Sequence, residues 1–189
     1  MKTIIFIFVL LLVAVTEAFA QSSDKMSSDE IVLACGYDTA KIAVIKFTPA
    51  FSDRFPAEVS PVYLNCTDFR WIDTLVVRAI NTHNFHMENW LQQARGIDSS
   101  SLNYKRQYLA VVTLNGEKLV WANFLCSVYH FDWKKVALDV ADGGKCYFNV
   151  LLNLITMSFS PLSVNGSAFT PAHHRSFAEA GACWLRPVK

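Results

Sequence analysis

Charge is scarce in this chain. Of its 189 residues only 17% are Asp, Glu, Lys or Arg, and the formal net charge is +1. Proteins that grip nucleic acid by its phosphates concentrate basic residues on one face. Here Lys105-Arg106 and Lys134-Lys135 are only pairs, so charge makes no case for nucleic-acid binding. Internal repeats, low-complexity tracts and domain linkers are absent as well. There is no C-x-x-C, and no cysteine combines with histidines at the intervals of a zinc site, which argues against structural zinc. G-x-S-x-G elbows, Walker loops and paired-carboxylate motifs are also missing. That lowers the odds of an enzyme without removing them, because Ser and Cys triads assemble in space rather than in sequence. No cofactor and no metal are implied.

Long apolar runs are missing too, with one exception at the start. Met1-Lys2 is followed by a nearly unbroken apolar stretch over 4–15, closing on Ala18-Phe19-Ala20 before a polar Gln-Ser-Ser-Asp. This is the pattern of a secretory signal peptide with an A-x-A cleavage site. The run is shorter than the roughly 20 apolar residues that span a bilayer. The expectation is export, removal of residues 1–20, and no membrane attachment afterwards. Residues 21–189 then fit one domain. With 52% hydrophobic and 13% aromatic residues, they can bury a core that offsets the ordering entropy.

All five cysteines, Cys35, Cys66, Cys126, Cys146 and Cys183, follow the leader. In an oxidising compartment they are read as disulfide-forming. An odd number leaves at least one thiol free or bonded to another chain, so the oligomeric state stays open. Asn65-Cys66-Thr67 and Asn165-Gly166-Ser167 fit the glycan acceptor pattern; burial and pairing of Cys66 would hide the first.

Along the chain, 21–30 reads as a polar leader. Ala40, Ile42, Ala43, Ile45 and Phe47 suit a short helix capped by Asp38 or Thr39 and stopped by Pro49. Residues 50–61 read as a loop, and 62–64 as a short strand. The Trp-, Ile-, Thr- and Val-rich stretch 69–80 reads as a second strand, and 86–95 as a short helix ended by Gly96. The strongest local signal is Asn115-Gly116 between 107–114 and 117–129, a tight hairpin of type I′. Residues 133–140, a turn at Asp142-Gly143-Gly144, and 146–159 continue an antiparallel meander, and 160–182 is turn-rich.

Histidines are the natural catalytic candidates. His83 and His86, with Glu88 beyond, have spacing that shares a helix face, but no third metal ligand can be named. His130 sits at a strand end, and His173-His174-Arg175 forms a polar cluster able to bind an anion; exposed loop residues explain all of them more simply. The Trp71, Trp121, Trp133 and Trp184 series reads as packing rather than as a ligand platform.

Four pieces carry a family likeness. Cys35-Gly36 opens the mature domain, Phe55-Pro56 precedes its central strands, residues 108–120 form a strand-turn-strand unit around Asn115-Gly116, and Gly143-Gly144-Lys145-Cys146 closes it. In these the chain resembles the ribonuclease-like secreted effectors of powdery mildew fungi over roughly residues 33–148. It departs from them at Leu33, where the family has an aromatic residue, and in its extra length and three additional cysteines.

The resemblance implies an α+β fold, with a short helix on an antiparallel, microbial ribonuclease-like sheet stapled by Cys35–Cys146. It divides the chain into leader (21–32), domain (33–148) and an irregular extension (149–189) packed on the domain. It also speaks against catalysis. Ala57 stands where active relatives have a histidine, and the strand position of the general base offers Arg70, with Asp73 the only carboxylate nearby. The implied function is a non-catalytic effector, secreted and delivered into host cells, that binds a host protein target or RNA. The alternatives are an active secreted ribonuclease or small hydrolase using His130 or His86 as base, and a disulfide-stapled extracellular binding module of an animal.

Overall fold

The hairpin forms where the Asn-Gly pair lies, but its turn is built differently. In the computed structural model, which describes residues 26–56, 58–87, 96–128, 131–140 and 143–165, the Thr113 N–H donates to the Glu117 carbonyl and the Gly116 N–H to the Thr113 carbonyl. The loop is therefore three residues long, and only Gly116 has positive φ, at 80°. A type I turn followed by one left-handed residue is the usual three-residue hairpin. It leaves Leu114 at the exposed tip.

The elements follow in the order α1 (Ser28–Ala34), β1 (Ile42–Val44), β2 (Val59–Pro61), α2 (Cys66–Phe85), β3 (Lys105–Thr113), β4 (Lys118–Leu125), β5 (Tyr147–Asn153), β6 (Ser158–Phe159) and β7 (Ser163–Val164). This is an α+β fold. β3, β4 and β5 form an antiparallel meander. β1 runs parallel to β3 at residues 106–108, while β2 runs antiparallel to it at 111–113. The sheet is therefore mixed, not purely antiparallel. β6 and β7 share the far side of β5. β5 crosses residue 148, so the expected extension begins inside the sheet, which also takes in β6 and β7.

Three further expectations need correction. The stretch 69–80 is not a strand but the middle of α2. Its buried positions, Phe69, Ile72, Leu75, Val76, Ala79 and Ile80, recur at three and four, which lays one stripe against the sheet. That burial outweighs the β-propensity of its Trp, Ile, Thr and Val side chains. The stretch after Asp38 is not a helix: Ile42, Ala43 and Ile45 send side chains alternately into two cores while β1 pairs with β3. The helix lies earlier, in the supposed polar leader. Ser27 caps α1, accepting from the Glu30 N–H while the Glu30 carboxylate accepts from the Ser27 N–H. Residues 88–95, most of the helix expected over 86–95, lie outside the described residues.

The cysteine pairing is also corrected. Cys35 is bonded to Cys66, not to Cys146, and Cys146 is bonded to Cys126. The geometry accounts for both pairs. Cys35 caps the C-terminal end of α1 and Cys66 begins α2, with Cα atoms 5.0 Å apart. Cys126 and Cys146 follow β4 and precede β5, where the Cys126 N–H donates to the Cys146 carbonyl. Spans of 31 and 20 residues make each bond worth about 3–4 kcal/mol in the loop-entropy account. Cys183 lies outside the described residues, as do residues 1–25.

Both faces of the sheet are covered. Tyr108, Ala110, Val120, Ala122, Phe124, Phe148, Val150 and Leu152 pack under α1 and α2, with Phe124 and Phe148 stacked at 4.5 Å. The alternate residues Leu109, Val111, Leu119, Trp121, Leu125 and Leu151 pack with Ile45, Phe55, Trp133 and Tyr147 and with the half-buried Phe47, Phe51, Val128 and Leu138. Strands buried on both faces read as continuous apolar runs instead of alternating ones.

Candidate functional site

Among the described residues, three places concentrate chemistry. The first joins the segment after α1, through Tyr37, to α2 and β3. Asp73 on α2 receives the Tyr37 hydroxyl on Oδ2 at 2.9 Å and the Arg106 guanidinium on Oδ1 at 3.0 Å. Arg106 also donates to the Leu102 carbonyl and lies 3.5 Å from the Tyr108 hydroxyl. Burial, then the bond to Asp73 and its charge, pushes the Tyr37 phenol up to about 12. Burial alone is the main force raising Tyr108 to about 12. Burial opposes the Arg106 charge, and Tyr108 with Asp73 outweighs it, so the guanidinium is held above its ordinary value. With both phenols protonated and each Asp73 oxygen accepting a bond, the cluster clamps the segment after α1 to α2 and β3.

The second place is the loop side of the sheet. Gln107 on β3 and Asn123 on β4 are register partners and both are buried. The Gln107 amide donates to the Trp133 and Val136 carbonyls at 2.5 and 2.7 Å, and its oxygen accepts from the Leu138 N–H and the Asn123 amide at 2.9 and 3.0 Å. Asn123 donates in turn to the Leu138 carbonyl at 2.8 Å. The expected strand over 133–140 is instead a turn at 133–135 followed by irregular chain, with the Trp133 and Val136 carbonyls and the Leu138 N–H bonded to side chains of the sheet. Arg54 lies 4.4 Å over the Trp121 ring and pairs with Asp139 at 3.2 Å, fixing the same layer from its other flank. Beside it opens a groove of about 550 Å³, lined by Val128, Phe131, Leu138, Val140, Tyr147 and the Cys126–Cys146 bridge. Gly143 also lines it, and a Cβ there would stand 2.3 Å from the Tyr147 ring, so any other residue would have to displace that ring.

The third place is the outward face of α2. Trp71, Val77 and Phe85 are exposed there, Phe85 by 84%, among Arg70, Thr74 and Arg78. Arg78 reaches from this face to the Met157 carbonyl at 3.2 Å and covers the Phe159 ring.

The chain matches no family model, no curated protein and no solved structure.

The residues singled out in the sequence fall as follows. His83 and His86 lie at the C-terminal end of α2, where His86 is the cap and packs edge-on against Phe85; Glu88 lies outside the described residues. Among the described residues, no three His, Cys, Asp or Glu side chains gather as a metal would require. Ala57, His130, His173, His174, Arg175 and Trp184 lie outside the described residues. Trp121 and Trp133 are buried, whereas Trp71 faces solvent. Asn65 caps α2, and Asn165 follows β7. Arg70 and Asp73, expected on a central strand, are both on α2.

Gln107, Asn123, Tyr37 and Arg106 escaped sequence reasoning. One signal for the first two was available: a Gln and an Asn, each inside an otherwise apolar strand, must find hydrogen bonds in the interior.

Proposed function

We propose that the chain is an exported, non-catalytic binding protein of the effector kind, whose target is a protein of another organism. The observation that carries this reading is the outward face of α2, where Trp71, Val77 and Phe85 are held in solvent on a helix anchored by a disulfide and a capping box. Exposed aromatic side chains on a rigid helix are suited to binding, because aromatic residues supply much of the energy where an interface forms. The small net charge favours a protein target over RNA. The signal-peptide pattern of residues 1–20 supports export, and paired cysteines fit an oxidising destination. Entry into host cells is an extension of the same reading.

Cys35 is bonded to Cys66 and not to Cys146 as the ribonuclease likeness implies, so the binding role stands on the face of α2, while the effector role and the foreign target rest on that likeness. The test uses purified residues 21–189. RNA incubated with the protein is expected to stay intact, and cross-linking on intact target cells is expected to weaken about tenfold or more in Trp71→Ala/Phe85→Ala. Guanyl-specific cleavage that disappears in His130→Ala, or cross-linking unchanged in the double variant, would overturn the reading.

A further inference from the structure

The two glycan acceptor sequences are not equivalent in the fold. In an asparagine-linked glycan the sugar is carried by the side-chain nitrogen, and the side-chain oxygen remains free to accept hydrogen bonds. At Asn65 the fold uses only the oxygen: Oδ1 accepts from the Thr67 and Asp68 N–H groups at 2.9 and 3.1 Å. Both partners are donors, so the assignment of oxygen and nitrogen is fixed by chemistry. Nδ2 has no partner among the described residues, and Asn65 and Thr67 are both exposed. The Cys35–Cys66 bond does not hide the sequence, because Asn65 and Thr67 point outward on either side of it.

At Asn165 the fold uses the nitrogen. Nδ2 donates to the Val140 carbonyl, the backbone N–H donates to the Tyr147 carbonyl at 3.0 Å, and the residue is half-buried. A sugar on that nitrogen would stand between Asn165 and Val140, against the loop layer.

We propose that Asn65 is the glycan site of this protein and that Asn165 stays bare, an inference that rests on the export reading above. The donor is an oligosaccharide on a lipid diphosphate. Asn65 Nδ2 bonds to the anomeric carbon, the bond from that carbon to the diphosphate oxygen breaks with its electron pair leaving on the carrier, and one amide proton is released. The cap of α2 survives the modification, because Oδ1 is untouched. At about 1.5 Å per residue, a glycan at the start of this 20-residue helix sits about 30 Å from Phe85, which leaves that end of the apolar face open.

The experiment produces the protein in a secreting eukaryotic cell in two forms, with its own residues 1–20 and with an unrelated secretory leader before residue 21. Peptide mass analysis after enzymatic sugar release is expected to find an oligosaccharide at Asn65 and none at Asn165. Thr67→Ala should abolish it while keeping the helix cap, Thr67→Ser should retain it, and Ser167→Ala should change nothing. Secreted protein with a bare Asn65, or with sugar at Asn165, overturns the inference in either form. Failure of the first form to reach the medium while the second does so overturns the export reading and leaves the site assignment to be decided by the second.

Discussion

At the residue scale, the buried amides carry an outsized share of the loop layer. Gln107 is fully buried, and four groups, the Trp133 and Val136 carbonyls, the Leu138 N–H and the Asn123 amide, depend on it. Leaving buried polar groups unpaired costs about 1–3 kcal/mol each where water cannot replace the partner. Gln107→Ala is therefore expected to lower stability by about 3 kcal/mol in urea unfolding, with loosening concentrated in 131–140. Gln107→Glu tests the same point by polarity rather than size. It keeps the acceptor for Leu138 but brings an acceptor against two carbonyls, so it should destabilise at neutral pH despite its similar shape. Amide hydrogen exchange would locate the effect: protection lost at Leu138 in both variants is expected, and unchanged protection there would contradict the role given to Gln107.

At the scale of the element, α2 is the test of what a sequence discloses. Its start was written in Asn65 and Asp68, a reciprocal pair in which Asn65 Oδ1 takes the Asp68 N–H and Asp68 Oδ2 takes the Asn65 N–H at 2.7 Å. Asp68 also meets Lys118 on β4 at 2.6 Å, so the cap doubles as a tie to the sheet. Asn65→Ala is expected to cost about 1 kcal/mol of stability, and Thr67→Ala much less, since only the Thr67 backbone takes part in the cap; thermal melts of the two variants side by side would measure the difference.

Composition misled over 69–80 because strand-favouring residues fall on both faces of the helix, Trp71, Thr74 and Val77 in solvent and Phe69, Ile72 and Val76 in the buried stripe, so only their three-and-four spacing marks a helix. The meander was legible from Asn115-Gly116 and its apolar flanks. The cysteine pairs were not, because pairing is set by which element ends meet. The candidate site was legible only in its parts: Asp73 stood out as a carboxylate, but nothing along the chain places it beside Arg106 and Tyr37.

For the whole molecule, the clamp between α2 and the sheet makes stability depend on alkaline pH. Tyr37 and Tyr108 are pushed from 10.0 to about 12 in the fold. A group whose folded value is raised contributes stability below its unfolded value and loses it as pH climbs to the folded one. The stability linked to both phenols is thus complete below pH 10 and drains between 10 and 12. Tyr37 is partly open to water, so Tyr108 should account for more of the loss. Melting temperatures across that interval should fall more steeply for the parent protein than for Tyr108→Phe, and equal slopes would show that the phenols do not set the limit.

The margins of the sheet have a last consequence. β1 and β2 together cover one flank, β6 and β7 the other, and these border strands are three, three, two and two residues long. One of them ends in Pro61, which has no N–H to offer a newcomer. A second molecule seeking to extend the sheet would meet a hem stitched in four short pieces rather than a continuous seam. Crowded with copies of itself, the described sheet therefore offers its neighbours no ready template for fibrils.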